Sequence, residues 1–149
     1  MSSLSPTAAK LAVGLLLLLS AAVPADSVES TWSGVYTASQ AARGEAIYAS
    51  VCGRCHGYLL NGAPDDPDML PAPPIAGDKF LRKWNGTSLA ALFEYTRTTM
   101  PAINPGSLSD QEFIDLLSYM LSVSAMPSGD EELPVEAARL EGLRLLARP

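Results

Sequence analysis

The sequence predicts an all-α domain, and three observations lead to that prediction. Apolar residues recur at helical spacing in several segments of the 149-residue chain. Stretches rich in proline and glycine separate these segments from one another. No segment shows the alternation of apolar and polar residues that is typical of strands, and no internal repeat is present. The length suits one small domain with additional segments at its ends.

The first 25 residues have the pattern of a secretory signal peptide. Lys10 precedes an apolar run at residues 11–23, and the small residues Val23 and Ala25 lie three positions and one position before a cleavage site. A retained membrane anchor is the alternative, although the run is shorter than the roughly 20 residues of a spanning helix. We therefore predict export to the periplasm and cleavage after Ala25.

The chain is acidic, with 16 Asp and Glu residues against 10 Lys and Arg residues. It has no basic stripe or basic run, which excludes the electrostatic footprint of a nucleic-acid-binding protein. Cleavage after Ala25 would remove Lys10 and no acidic residue, so nine basic and 16 acidic side chains would remain, a formal charge of −7. Such a protein is steered toward positively charged patches on its partners.

The first predicted helix covers residues 38–51, with Ser39 as its N-cap. Helical spacing predicts an apolar side that consists of Ala42, Ala46, Ile47 and Tyr48. Gly44 lies in the middle of this helix, where glycine costs roughly 1 kcal/mol relative to alanine. A glycine in such a position requires a packing reason.

A loop rich in glycine, proline and aspartate follows at residues 57–78. Its prolines exclude a regular element, and so long a loop in a compact domain is expected to wrap something. Two short helices are predicted after it, at residues 79–84 and 87–97. Either Thr87 or Ser88 serves as the N-cap of the second.

The clearest helix pattern covers residues 109–123. Ser109 and Glu112 form a capping box at its start. Its apolar residues recur at i, i+3, i+4 and i+7 and are Phe113, Leu116, Leu117 and Met120. The domain is therefore expected to extend over residues 38–125.

Two further segments flank the predicted domain. Residues 26–37, which contain Trp32 and Tyr36, are interpreted as an ordered strap, with a flexible linker as the alternative. Residues 126–149 are interpreted as a tail that contains a short terminal helix.

The sequence Cys52-Gly-Arg-Cys55-His56 has the C-x-x-C-H pattern of covalent attachment of a c-type haem. Cysteines at i and i+3 lie about one helical turn apart, so both can bond the vinyl groups of one porphyrin as thioethers. The adjacent histidine can then bind the iron. A zinc site needs about four ligands, more than the chain offers, and a thioredoxin-like dithiol needs a preceding strand. We therefore predict one covalently bound c-type haem with its iron.

At these residues the chain resembles class I cytochrome c, over roughly residues 38–124. Gly44, Tyr48 and Cys52 fit the glycine–aromatic–cysteine spacing that leads into the haem motif of that family. The resemblance implies that the glycine lets the last helix cross the first closely. Leu116 and Tyr119 fit the face of the last helix that crosses there.

Two loops extend the resemblance. The sequence PPIAG at residues 73–77 resembles the P-x-L-x-G loop of the family, with Ile75 in place of leucine. Residues 98–113 closely resemble the stretch that carries the distal methionine in bacterial members. The implied fold is that of class I cytochrome c, with a few short helices wrapped around one covalently attached haem and with crossing N- and C-terminal helices.

The resemblance implies that His56 and Met100 are the axial ligands of the haem iron, and His/Met ligation raises the potential. Met69, in the proline-rich loop, is the alternative to Met100 as the axial ligand other than His56. Met120 lies on the apolar face of the last helix and is interpreted as core, and Met126 follows that helix.

Other site residues also follow from the resemblance. The carbonyl of Pro73 is expected to accept a hydrogen bond from the ring of His56, which orients the ligand. Thr98, Trp84 and Asn85 are candidates for contact with the haem propionates, with plain core as the alternative for Trp84.

The basic residues nearby have two interpretations each. Arg97 either meets a propionate or is a solvated residue at a helix end. Lys79, Arg82 and Lys83 form either a docking patch or a solvated helix face.

The resemblance implies an electron carrier rather than an enzyme, working between a dehydrogenase and a downstream acceptor such as a terminal oxidase. The stretch at residues 31–44 resembles a group of small bacterial cytochromes, some of which accompany periplasmic dehydrogenases, including quinoproteins. One alternative is a haem subunit held permanently in a dehydrogenase complex. Another is a haem sensor or a peroxidase-like enzyme, which requires an open sixth position on the iron.

Overall fold

The computed structural model describes residues 28–69 and 72–147, and the all-α prediction is confirmed. The helices are α1 (Ala38–Val51), α2 (Gly53–His56), α3 (Gly77–Trp84), α4 (Leu89–Thr99), α5 (Asp110–Val123) and α6 (Ala137–Glu141). The predicted signal peptide lies outside the described residues. Within the described ranges no helix is long and apolar enough to cross a membrane.

Helix α1 has the predicted bounds, but two of its details differ from the prediction. Its N-cap is Thr37 rather than Ser39, because the Thr37 hydroxyl accepts the N–H of Gln40 at 3.2 Å. Ala42 and Ala46 are exposed, so the predicted apolar side was wrong in part. The buried residues of the helix are Gln40, Ala41, Gly44 and Tyr48. The face of α1 that packs on α5 is therefore determined by the close approach at Gly44 rather than by which side of the helix has more apolar residues.

Helices α1 and α5 cross at Gly44. A Cβ atom at this position would overlap the backbone carbonyl of Asp115 and lie 2.9 Å from the Cβ of Tyr119. The rings of Tyr48 and Tyr119 pack 5.6 Å apart beside the crossing. The guanidinium of Arg43 donates to the buried Asp115 carboxylate at 2.8 Å. The close approach of α5 therefore explains why glycine occupies this position in the middle of α1.

The later helices agree with the sequence prediction within two residues. Helix α3 begins at Gly77 rather than at residue 79, and α4 begins at Leu89 with Ser88 as its N-cap. Helix α5 begins after Ser109, and the capping box with Glu112 is present. All four predicted apolar residues of α5 are buried.

The strap and the tail pair with each other. Residues Glu29–Ser30 (β1) and Leu143–Arg144 (β2) form a parallel pair, which the sequence did not predict because two residues are too few to show an alternating pattern. The indole of Trp32 donates to the carbonyl of Leu146 at 3.1 Å, and the hydroxyl of Tyr36 donates to the carbonyl of Met126 at 2.7 Å.

The tail contributes to the hydrophobic core. Its buried leucines are Leu133, Leu140, Leu143 and Leu145. The side-chain amide of Gln40 in α1 holds the tail as well, because it bonds both the N–H and the C=O of Leu133, at 2.8 and 2.9 Å. The short helix expected in the tail is α6.

Candidate functional site

The motif at residues 52–56 forms a single helical turn directly after α1. Cys52 is the N-cap of α2, and its carbonyl accepts the N–H groups of Cys55 and His56 at 3.1 and 3.0 Å. The two cysteines therefore lie one turn apart, as two thioether bonds to one porphyrin require. Both are half-buried and their sulfur atoms are not joined to each other.

A cavity of about 340 Å³ opens beside this turn and brings together the four residues predicted to hold the haem: Cys52, Cys55, His56 and Met100. Its volume lies within the range of small-molecule and cofactor sites. Most of its walls are apolar and come from α4, α5 and the proline-rich loop, including Leu92, Phe113, Leu116, Ile75 and Pro74. Pro73 and Trp84 line the same cavity.

His56 is oriented by the loop that follows it. Its ring Nδ1 lies 2.9 Å from the carbonyl oxygen of Pro73, the acceptor that the family resemblance implied. A ring that donates its Nδ1 proton to this carbonyl leaves Nε2 free as a metal ligand. The loop itself is fixed, because Gly62 donates its N–H to the carbonyl of His56 at 2.8 Å and Tyr48 donates its hydroxyl to the carbonyl of Gly57 at 2.6 Å.

The environment of Cys52 disfavours a redox dithiol. Burial, and secondarily the nearby Cys55, raise the pKa of the Cys52 thiol to about 11. Reactive dithiols depend on a lowered pKa, which makes the thiolate available at neutral pH. A zinc site is not supported either, because no group of three or more His, Cys, Asp or Glu side chains is assembled within residues 28–69 and 72–147.

Met100 lies at the end of α4 and begins a loop that folds back on itself. Its N–H donates to the carbonyl of Thr96 at 2.9 Å, and its own carbonyl accepts the N–H of Gly106 at 3.1 Å. Among the other described methionines, Met69 and Met126 do not line the cavity, whereas Met120 does and is buried.

Thr98 is not in the cavity, contrary to the expectation that it contacts a propionate. Its side chain is exposed, and its hydroxyl donates to the carbonyl of Glu94 at 2.6 Å. Thr96 lines the cavity in its place. Two positions along a helix differ by about 200° in direction, whereas Leu92, Thr96 and Met100 are four apart and share one face. The sequence could therefore have predicted Thr96, because it lies four positions before Met100 and so on the same face of the helix.

The remaining candidates divide between the cavity and the surface. Trp84 lines the cavity and also packs on other rings, 6.5 Å from Phe80 and 5.3 Å from Tyr95 between ring centroids. The Asn85 side chain accepts the N–H of Ala147 at 2.8 Å and so fastens the tail. Arg97 pairs with Glu94 at 2.8 Å and lies outside the cavity lining.

Sequence reasoning missed Tyr95 and Lys83 as cavity residues. All three basic residues of α3 are exposed, and of these Lys83 lines the cavity, whereas Lys79 and Arg82 do not. The ammonium of Lys83 lies 5.5 Å from the ring centre of Trp84 and 5.9 Å from that of Tyr95. The sequence signal for Lys83 was its position next to Trp84, but α3 contains two other basic residues, Lys79 and Arg82, from which Lys83 could not be distinguished.

Comparison with known proteins bears on the same region. The protein-family model described as cytochrome c oxidase, cbb3-type, subunit III, matches residues 39–120. A thiosulfate dehydrogenase of Psychrobacter arcticus is 35% identical over 79 residues, which make up 51% of this chain and 24% of that protein. The chain thus matches about a quarter of the length of that relative. No solved structure matches the chain.

Proposed function

The chain belongs to the c-type cytochrome family described as cytochrome c oxidase, cbb3-type, subunit III, and on that premise we propose that it is a periplasmic electron carrier with His56 and Met100 as the axial ligands of its haem iron. Membership in this family brings a covalently bound c-type haem, electron transfer and redox protein partners. The proposed donor is a dehydrogenase, and the proposed acceptor is a terminal oxidase or a similar protein.

The observation that carries the proposal is the convergence of two cysteines, a histidine and a methionine on one apolar cavity. An imidazole nitrogen and a thioether sulfur are the axial donors typical of electron-transfer cytochromes. The oriented ring of His56 and the apolar walls fit a haem, whose flat, largely apolar face favours such surroundings. When bound, the haem supplies the one-electron chemistry.

The protein's own residues have positioning roles in this proposal. Cys52 and Cys55 would attach one edge of the haem through two thioether bonds. The hydrogen bond to the Pro73 carbonyl sets the orientation of the His56 ring. The hydrogen bonds that close the loop after Met100 hold the methionine at the cavity and favour a filled sixth position. A filled position disfavours a sensor or a peroxidase-like enzyme, which must expose the iron to a ligand.

A second candidate is a haem subunit of a dehydrogenase complex. The observation that favours it is the similarity to part of a protein named thiosulfate dehydrogenase. The two candidates differ in assembly. A carrier is expected to elute alone when it is purified from its native host, and a subunit is expected to copurify with a larger catalytic chain at fixed stoichiometry.

Haem attachment and export are tested on the protein produced with the c-type maturation system. We expect haem staining to persist on a denaturing gel after acid-acetone extraction, and we expect the mature chain to begin at Asp26. Haem that extracts freely would contradict attachment through Cys52 and Cys55. A chain that still begins at Met1 would contradict the predicted cleavage. The reduced protein is expected not to bind carbon monoxide, and binding would support the sensor or peroxidase-like alternative.

A further inference from the structure

Among the residues that the structure describes, one basic side chain lines the cavity proposed for the haem. Among the described residues that form the lining, Lys83 is the only Lys or Arg, and none is an Asp or Glu. The other lining residues are apolar or aromatic, apart from the attachment residues, the ligands and Thr96. The basic residues outside the lining include Lys79 and Arg82, which are exposed as Lys83 also is, and Arg97, which is paired with Glu94.

The ammonium of Lys83 lies beside two aromatic rings at the cavity. It lies within 6 Å of the ring centres of both Trp84 and Tyr95, which also line the cavity. At that distance the negative face of an aromatic ring attracts a cation. The two rings pack on each other in an edge-to-face arrangement, with their centroids 5.3 Å apart, and both lie beside the lysine.

A haem carries two propionate carboxylates, and a carboxylate beside apolar walls needs a charged or hydrogen-bonding partner. Of the four partners that the sequence suggested, Trp84 lines the cavity but has no charge, and the other three are occupied elsewhere. Thr98 bonds the carbonyl of Glu94, Asn85 bonds Ala147, and Arg97 pairs with Glu94. Lys83 therefore remains as the cation of the described lining that is available to a propionate.

We propose that Lys83 pairs with a haem propionate and that its charge raises the midpoint potential of the haem. The proposal rests on the proposed function, since it requires the haem in this cavity. The sign follows from Coulomb's law, because a positive charge beside the haem favours the ferrous state, which has one positive charge fewer than the ferric state. Lys83 is in this respect a positioning and tuning residue and takes no part in binding the iron.

The test compares holoprotein variants that lose the same charge from the same helix. Lys83→Gln is expected to lower the midpoint potential in a spectroelectrochemical titration by more than Lys79→Gln and Arg82→Gln, which lie outside the lining. Lys83→Arg, which keeps the charge, is expected to retain a potential close to that of the wild type. The propionate bending band in the resonance Raman spectrum is expected to shift in Lys83→Gln and to stay unchanged in the two control variants.

The outcomes separate this proposal from the function on which it rests. Equal potentials in Lys83→Gln and the two controls would overturn the role of Lys83. So would a lowered potential without a shift of the propionate band, because the charge would then act without pairing. In both cases covalent haem and methionine ligation in the wild type would leave the proposed function intact. A wild-type chain without covalent haem would overturn both proposals.

Discussion

Replacement of Gly44 by alanine is expected to destabilise the protein, although the same change stabilises most helices. At an ordinary position in a helix, glycine to alanine gains roughly 1 kcal/mol. At Gly44 the new Cβ would overlap the carbonyl of Asp115, which is backbone of α5 and cannot rotate away. Overpacking costs about 1–3 kcal/mol, and contact with backbone favours the upper end of that range. The difference is a net loss of about 2 kcal/mol.

The measurement is the free energy of unfolding of the holoprotein, from guanidinium denaturation with an unchanged slope. Ala46→Gly provides the matched control, because Ala46 is exposed on the same helix and reports the propensity difference without a crossing. We expect that control to lose about 1 kcal/mol. A Gly44→Ala protein as stable as the wild type, or more stable, would show that the two helices do not approach each other closely at this point.

Two further changes test the packing around the site. Met120→Ala is expected to cost roughly 2–5 kcal/mol of stability, because the side chain is buried. The variant is also expected to keep the near-infrared band of methionine ligation in the oxidised form. Loss of that band would contradict the interpretation of Met120 as a core residue. Gln40→Ala is expected to cost about 1–3 kcal/mol, because it leaves the N–H and C=O of Leu133 without partners. An unchanged denaturation midpoint for Gln40→Ala would show that the tail does not depend on this amide.

The features that local sequence determines were predicted well. The bounds of α1 match, although its N-cap is Thr37 rather than Ser39, and the capping box at Ser109 and Glu112 is present, because capping and helical spacing depend on residues a few positions apart. The attachment motif is local as well, so one turn of helix fixes the spacing of Cys52 and Cys55.

The features that depend on distant parts of the chain were predicted less well. Ala42 and Ala46 are apolar but exposed, since the contact at Gly44 decides which face of α1 meets α5. The assignment of Thr98 failed for a local reason instead: it was matched to the family two positions before Met100, whereas residues on one face of a helix are three or four positions apart. The pairing of β1 with β2 joins segments more than a hundred residues apart, and its two-residue strands carry no pattern of their own.

The central claim is that Met100 caps the iron opposite His56, and the near-infrared sulfur-to-iron band of the oxidised protein tests it most directly. Met100→Ala is expected to lose this band, to lower the midpoint potential and to let the reduced protein bind carbon monoxide, because the thioether that favours ferrous iron is gone. Met69→Ala is expected to retain the band and the potential, since Met69 lies outside the cavity lining. A band that persists in Met100→Ala and vanishes in Met69→Ala would contradict the ligand assignment and show that the proline-rich loop caps the iron.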